Sequence, residues 1–239
     1  MLVTYYSIDN AGNSADEQSA VIWVDPTPPV VTLSMSGSVC GGFYNTTATA
    51  SIRATDTQSG VQSIYANGIA HSDNFQLTYP ASGSYTIQDV YAVDWVGNAS
   101  TPLASKSFQV DVNAPLVSLS GMESNGGFLF RIPHSDDFAG IAEGKITIRR
   151  ASNNGVVIRE LPFDSSVVWD GKDSSGAAVS HNEAYIALVQ VKDKACNQTT
   201  RAIQIRWPFF GLGGASISEL ASETPTASPT ALATWTAQP

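Results

Sequence analysis

Cysteine is nearly absent: two in 239 residues are too few for a disulfide-built scaffold or a Cys-based zinc site. Charge is scarce too, at 14% of residues against a usual quarter. Basic residues are the scarcer kind, with 12 Lys and Arg against 21 Asp and Glu and a net charge of −9. Phosphate neutralisation needs clustered cations, so nucleic acid is not an expected partner, and anionic membrane surfaces are disfavoured for the same reason. No apolar run approaches the ~18 residues of a membrane span. Histidine is limited to His71, His134 and His181, each set among Ser, Asn and Asp. Neither Gly-x-Ser-x-Gly, nor His-Glu-x-x-His, nor a phosphate loop occurs. These absences argue against an enzyme and leave no cofactor to expect.

What is present is a repeated turn. Tyr91-Ala-Val-Asp-Trp-Val-Gly-Asn98 has a counterpart in Tyr6-Ser-Ile-Asp-Asn-Ala-Gly-Asn13 and an altered one in Gln190-Val-Lys-Asp-Lys-Ala-Cys-Asn197. Each is an apolar strand entering Asp-x-x-Gly-Asn and leaving as another strand. The Asp accepts the turn's N–H groups, and the Gly takes the left-handed conformation that returns the chain as a hairpin. Asp9, Gly12, Asn13, Asp94, Gly97, Asn98, Asp193 and Asn197 are therefore turn-building residues. A second landmark, a Val-Asp pair followed by Pro, stands at Val24-Asp-Pro-Thr-Pro-Pro and Val110-Asp-Val-Asn-Ala-Pro. These joints are 86 positions apart and the first two hairpin Asp residues are 85 apart. One period from two landmarks, at a length that suits a seven-stranded sandwich, implies tandem β-modules.

The expected organisation is all-β. Residues 1–25 read as the closing hairpin of a truncated module, residues 26–112 as one complete sandwich and residues 113–208 as another. Residues 209–239, rich in Ser, Thr, Pro and Ala, read as a disordered tail, because they lack the apolar surface to order themselves. The start, Met1-Leu-Val-Thr-Tyr-Tyr-Ser-Ile-Asp, has no basic region and is not a signal peptide; it reads as the middle of a module, and the chain as a fragment. Gly83–Asp94 is expected to run as one strand. Counting back from each hairpin Asp assigns Ser7 and Tyr5, Ala92 and Val90, and Val191 and Val189 to the buried strand face.

The joints and hairpins over residues 1–112 resemble bacterial immunoglobulin-like repeats of large secreted and cell-surface proteins. Residues 128–207, carried by Trp169-Asp-Gly-Lys-Asp-Ser-Ser-Gly and Tyr185-Ile-Ala-Leu-Val, resemble the immunoglobulin-like domain of flagellar hook-capping proteins. The likeness implies tandem immunoglobulin-like or fibronectin-like β-sandwiches in an extracellular or cell-surface protein. It implies architecture more than activity: a structural spacer, with neighbouring modules of the same chain as partners. The competing reading is an adhesin, or a module that binds a surface glycan or protein.

Few residues offer chemistry beyond turns. Calcium takes six to eight oxygens, whereas each joint supplies one or two carboxylates, such as Asp25 or Asp111 with a hairpin Asp; turn-capping is the simpler role for them. Asp136, Asp137 and Glu143, together in one loop, are the stronger metal candidates, although solvated loop charge explains them too. Trp95, at a hairpin tip, is the candidate binding residue. Cys196 occupies the Gly position of its hairpin, at a cost on the order of 1 kcal/mol. Cys40 follows the first strand of residues 26–112. The up-and-down course of a sandwich brings these two loops to one joint, so a Cys40–Cys196 disulfide between modules is expected.

Overall fold

A computed structural model of the chain describes residues 1–124, 127–152, 155–180, 183–207 and 218–219. Apart from Ser218–Glu219, the expected tail lies outside the described residues, as does His181. The fold is all-β, and no helix occurs among the described residues. None, accordingly, is long and apolar enough to cross a membrane. The chain packs into two compact units. The first comprises Met1–Ser36, Thr49–Thr78 and Tyr85–Phe108; the second comprises Gly37–Ala48, Tyr79–Ser84 and the described residues from Gln109 on.

In the first unit, Val30–Ser36 pairs antiparallel with Ala48–Thr55, from Val30↔Thr55 to Ser36↔Thr49, and Phe75–Tyr79 completes that sheet. A second sheet holds Tyr91–Asp94, Val61–Ala66 and Ile69–His71. Asn67-Gly68 turns the last two, with φ of 51° and 77°; both central residues of a tight hairpin need that left-handed region. Alternation sends Ala50, Ile52 and Ala54 inward from one sheet, and Ile64, Ala66 and Ala92 from the other.

Gly83–Asp94 is not one strand. Asp89 has φ of 53°, and the chain divides there into Gly83–Ile87, beside Lys106–Val110, and Tyr91–Asp94, beside Val61–Ala66. The buried positions record the break: Ile87, then Val90 and Ala92, change from odd to even. Only the second and third hairpins bury the expected face, through Ala92, Val90, Val191 and Val189. In the first, Leu2–Tyr5 pairs with Gln18–Val21, but Tyr5 is 57% exposed and Ser7 is exposed as well.

In the second unit, Val157–Leu161, Ile141–Arg150, Glu183–Asp193 and Gln198–Trp207 form one antiparallel layer. Ser218–Glu219 adds to its edge at Ile203↔Glu219 and Gln204↔Ser218. Ser120–Ser124, Gly127–Arg131 and Ser166–Trp169 form the facing layer. Phe128, Phe130 and Trp169 from one meet Ile146, Ile148, Tyr185, Val189 and Ile203 from the other in a single core. That is a β-sandwich. Trp169 sets its depth: fully buried, it meets Tyr185 edge-on at 5.4 Å and donates its indole N–H to the Lys172 carbonyl at 2.9 Å. The turn that supplies this carbonyl is held by Asp173, which accepts the Ser175 and Ala177 N–H groups at 2.9 and 3.0 Å.

Candidate functional site: joint, loop and hairpin carboxylates

The three repeated turns close the same way. Each Asp N–H donates to the carbonyl four residues on, at 2.9 Å for Asp9 and 3.1 Å for both Asp94 and Asp193. Each Asp Oδ1 accepts the N–H of Asn13, Asn98 or Asn197, at 2.9, 2.8 and 2.8 Å, and each Oδ2 accepts the same Asn's amide. The Gly position is left-handed throughout, with φ of 87° at Gly12, 93° at Gly97 and 70° at Cys196.

Two of the hairpins do more. The Asn98 amide also donates to the Asp25 carbonyl at 2.9 Å, and the Asn197 amide to the Asp111 carbonyl at 2.9 Å. Each closing hairpin thereby holds a Val-Asp joint segment within its own unit. A loop completes the arrangement. Ser59 N–H donates to Asp25 Oδ2 and Ala139 N–H to Asp111 Oδ2, both at 2.9 Å. Asp56 Oδ1 caps the Gln58 and Gly60 N–H groups, as Asp136 Oδ1 caps those of Phe138 and Gly140. The Gly60 and Gly140 carbonyls then accept from the Trp95 and Lys194 N–H groups of the hairpins, at 3.2 and 3.0 Å.

The same wiring built twice brings three carboxylates together in each unit. Asp25, Asp56 and Asp94 lie with one oxygen of each within 4.8 Å of the others, as do Asp111, Asp136 and Asp193. Asp94, Asp111 and Asp193 are at most 1% exposed. Hard carboxylate oxygens at that spacing suit a calcium ion, which takes its remaining oxygens from carbonyls or water. Each triad joins a joint Asp, a loop Asp and a hairpin Asp. Asp136 alone of the loop candidates belongs to one. Asp137 is exposed and accepts the Asn113 amide at 2.6 Å, and Glu143 is exposed beside Lys192 at 3.6 Å. Asp56 was not a sequence-level candidate. Its signal is the Asp-x-x-x-Gly of Asp56–Gly60, which recurs at Asp136–Gly140.

The electrostatics of the triads differ. Burial pushes the Asp94 carboxyl up, but the Asn98 amide and N–H and the Val96 N–H outweigh it and hold the group below the usual range. Asp25 is held far below that range by hydrogen bonds from Ser59, through its N–H, and from the Thr27 hydroxyl and N–H. Asp193 goes the other way. Burial raises it, the Asn197 bonds only partly offset this, and the charges of Asp111 and Asp136 raise it further. At the effective dielectric of such sites, two like charges about 5 Å apart repel by roughly 3 kcal/mol.

Cys40 and Cys196 are joined in a disulfide with Cα atoms 5.8 Å apart, and by packing both belong to the second unit. Phe43–Tyr44, next to Cys40, pairs in parallel with Gln109–Val110, and Phe43 meets Phe138 edge-on at 6.1 Å. Trp95 is 66% exposed at its hairpin tip, with Val96 beside it at 59%. His71 stacks on Phe75 at 3.6 Å, and the His134 ring nitrogen Nδ1 lies 2.8 Å from the Ile132 carbonyl.

No protein-family model matches the chain, and no curated protein matches it. Among solved structures it is similar to dimeric latent PorU from Porphyromonas gingivalis, at 14% identity and a TM-score of 0.31. The match covers 93% of this chain and 24% of that one, so the chain spans about a quarter of that protein. At that score the likeness carries no argument.

Proposed function

We propose that the chain is a non-catalytic spacer segment of a secreted or cell-surface multidomain bacterial protein, built from successive immunoglobulin-like sandwiches. The observation that carries this reading is the lock built twice, from the opening segment through the Asp-x-x-x-Gly loop to the closing hairpin. Tension that pulls a joint segment away from its closing hairpin loads these hydrogen bonds directly. Pro26, Pro28 and Pro29 stiffen one such segment, and Pro115 the other. The acidic surface opposes self-association.

Single-molecule stretching of the whole chain tests the reading. Two discrete unfolding events, one per unit, are expected once the disulfide is reduced. The disulfide withholds the 156-residue interval between Cys40 and Cys196. That interval holds residues 49–78 and 85–108 of the first unit as well as most of the second, so reduction should lengthen the total extension by roughly 500 Å, at about 3.5 Å per residue. Smooth, featureless extension would overturn the spacer role.

A second reading, an adhesive module, rests on the exposed Trp95 and Val96 at one hairpin tip. Binding of the chain on a glycan or matrix-protein array, abolished by Trp95→Ala, would establish adhesion in place of a passive spacer.

A further inference from the structure

We propose that Asp111, Asp136 and Asp193 form a calcium site inside the second unit. The three carboxylates converge within 4.8 Å, and Asp111 and Asp193 are 0% and 1% exposed. Convergence alone does not make a site; the independent observation is at Asp136. Its Oδ1 is occupied by the Phe138 and Gly140 N–H groups at 3.1 and 2.6 Å. Its Oδ2 is sealed from solvent and has no hydrogen-bond donor. A buried carboxylate oxygen without a donor is costly unless a cation satisfies it.

Among the described residues no ion pair supplies that cation. The ion pairs among the described residues are Lys145–Glu160, Arg150–Glu183 and Lys192–Glu143, and none reaches the triad. The donor set selects the ion. All three side chains offer hard oxygen, which excludes the nitrogen and sulfur chemistry of zinc sites. Their spacing comes from backbone locks on three separate segments. That irregular arrangement suits the tolerant coordination of calcium better than the strict octahedron of magnesium. The first unit's triad has no orphaned carboxylate oxygen among the described residues and serves as the internal comparator.

The test uses the full chain, stripped with chelator and titrated with CaCl2 by calorimetry, with thermal unfolding recorded in parallel. A saturable isotherm is expected, together with a higher midpoint for the transition that reductant also shifts, which marks the disulfide-bearing unit. Asp136→Asn keeps the Oδ1 contacts and should weaken binding at least tenfold, while Asp137→Asn should stay within about twofold. Four results overturn the proposal. They are no heat and no midpoint shift at about 10 mM CaCl2, above the range of extracellular modules; MgCl2 matching CaCl2; Asp136→Asn binding as the parent does; or binding lost in Asp56→Asn alone. If Asp136→Asn does not fold, hydrogen exchange at Ala139 and Gly140 in the parent chain decides. Slowing by CaCl2 but not MgCl2 supports the site, and unchanged exchange overturns it.

Discussion

The hairpin at Asp94 and the hairpin at Asp193 are one design in two settings. Both cap their own turn, both hold an opening segment through an Asn amide, and both receive a loop glycine carbonyl. The Asp94 turn has Gly at its left-handed position and an exposed Trp95; the Asp193 turn has Cys196, bonded to Cys40. The Asp94 carboxyl sits below its usual range because hydrogen bonds win; the Asp193 carboxyl sits above because burial and two neighbouring charges win. A repeated turn thus fixes backbone geometry, while its surroundings decide charge state and covalent cross-linking.

The largest difference between the two should come from the disulfide. Cys40→Ser with Cys196→Ser is expected to lower the second unit's stability by on the order of 4 kcal/mol, because the bond closes a long loop in the unfolded chain. The first unit's transition in a denaturant melt should not move. Equal loss in both transitions would mean that the units unfold as one.

The Asn locks come next. Asn197→Ala and Asn98→Ala each free a backbone carbonyl and a carboxylate oxygen, for about 1–3 kcal/mol each by chemical denaturation. Asn13→Ala, in the exposed first hairpin, should stay within about 0.5 kcal/mol. A similar cost at all three positions would show that the turn, rather than the lock, carries the energy. At the lower end of the Asn-lock range comes Gly97→Ala. Nothing lies within 4 Å of the added carbon, so its cost of about 1 kcal/mol is that of the left-handed backbone alone.

Proton linkage separates the hairpins by direction. Asp94, lowered on folding, adds stability above the ordinary carboxylate value and loses it as pH falls through its lowered one. Asp193, raised on folding, adds stability while protonated and loses it as pH rises through its raised value. Urea midpoints in chelator between about pH 3 and 7 should therefore respond oppositely. Asp94→Asn should remove a loss on acidification, and Asp193→Asn a gain. Parallel responses would refute the contrast.

Much of this was legible in the residues. The Asp-x-x-Gly-Asn turns could be read directly, because Asp capping and a left-handed Gly are local properties of four or five residues. Alternation likewise marked Ala92, Val90, Val191 and Val189 as inward. It did not reveal that Asp89 ends one strand and begins another, since a single left-handed Asp leaves no trace in the apolar pattern until its parity is counted. Nor did the residues, which marked Asp136, Asp137 and Glu143 together, separate one loop carboxylate from another. Asp136 and Asp137 are adjacent and chemically alike, and only packing sends the first into the triad and the second to Asn113.

By itself, then, the sequence determined the all-β fold, the places where the chain turns and the residues that cap those turns, because each depends on short-range sterics and hydrogen bonding. The tertiary structure alone decided which distant carboxylates share a site, which Asp is raised and which lowered, and how Cys40 reaches Cys196. Those outcomes depend on distances between segments far apart in the chain, which burial and backbone locks set only once the sandwiches have closed.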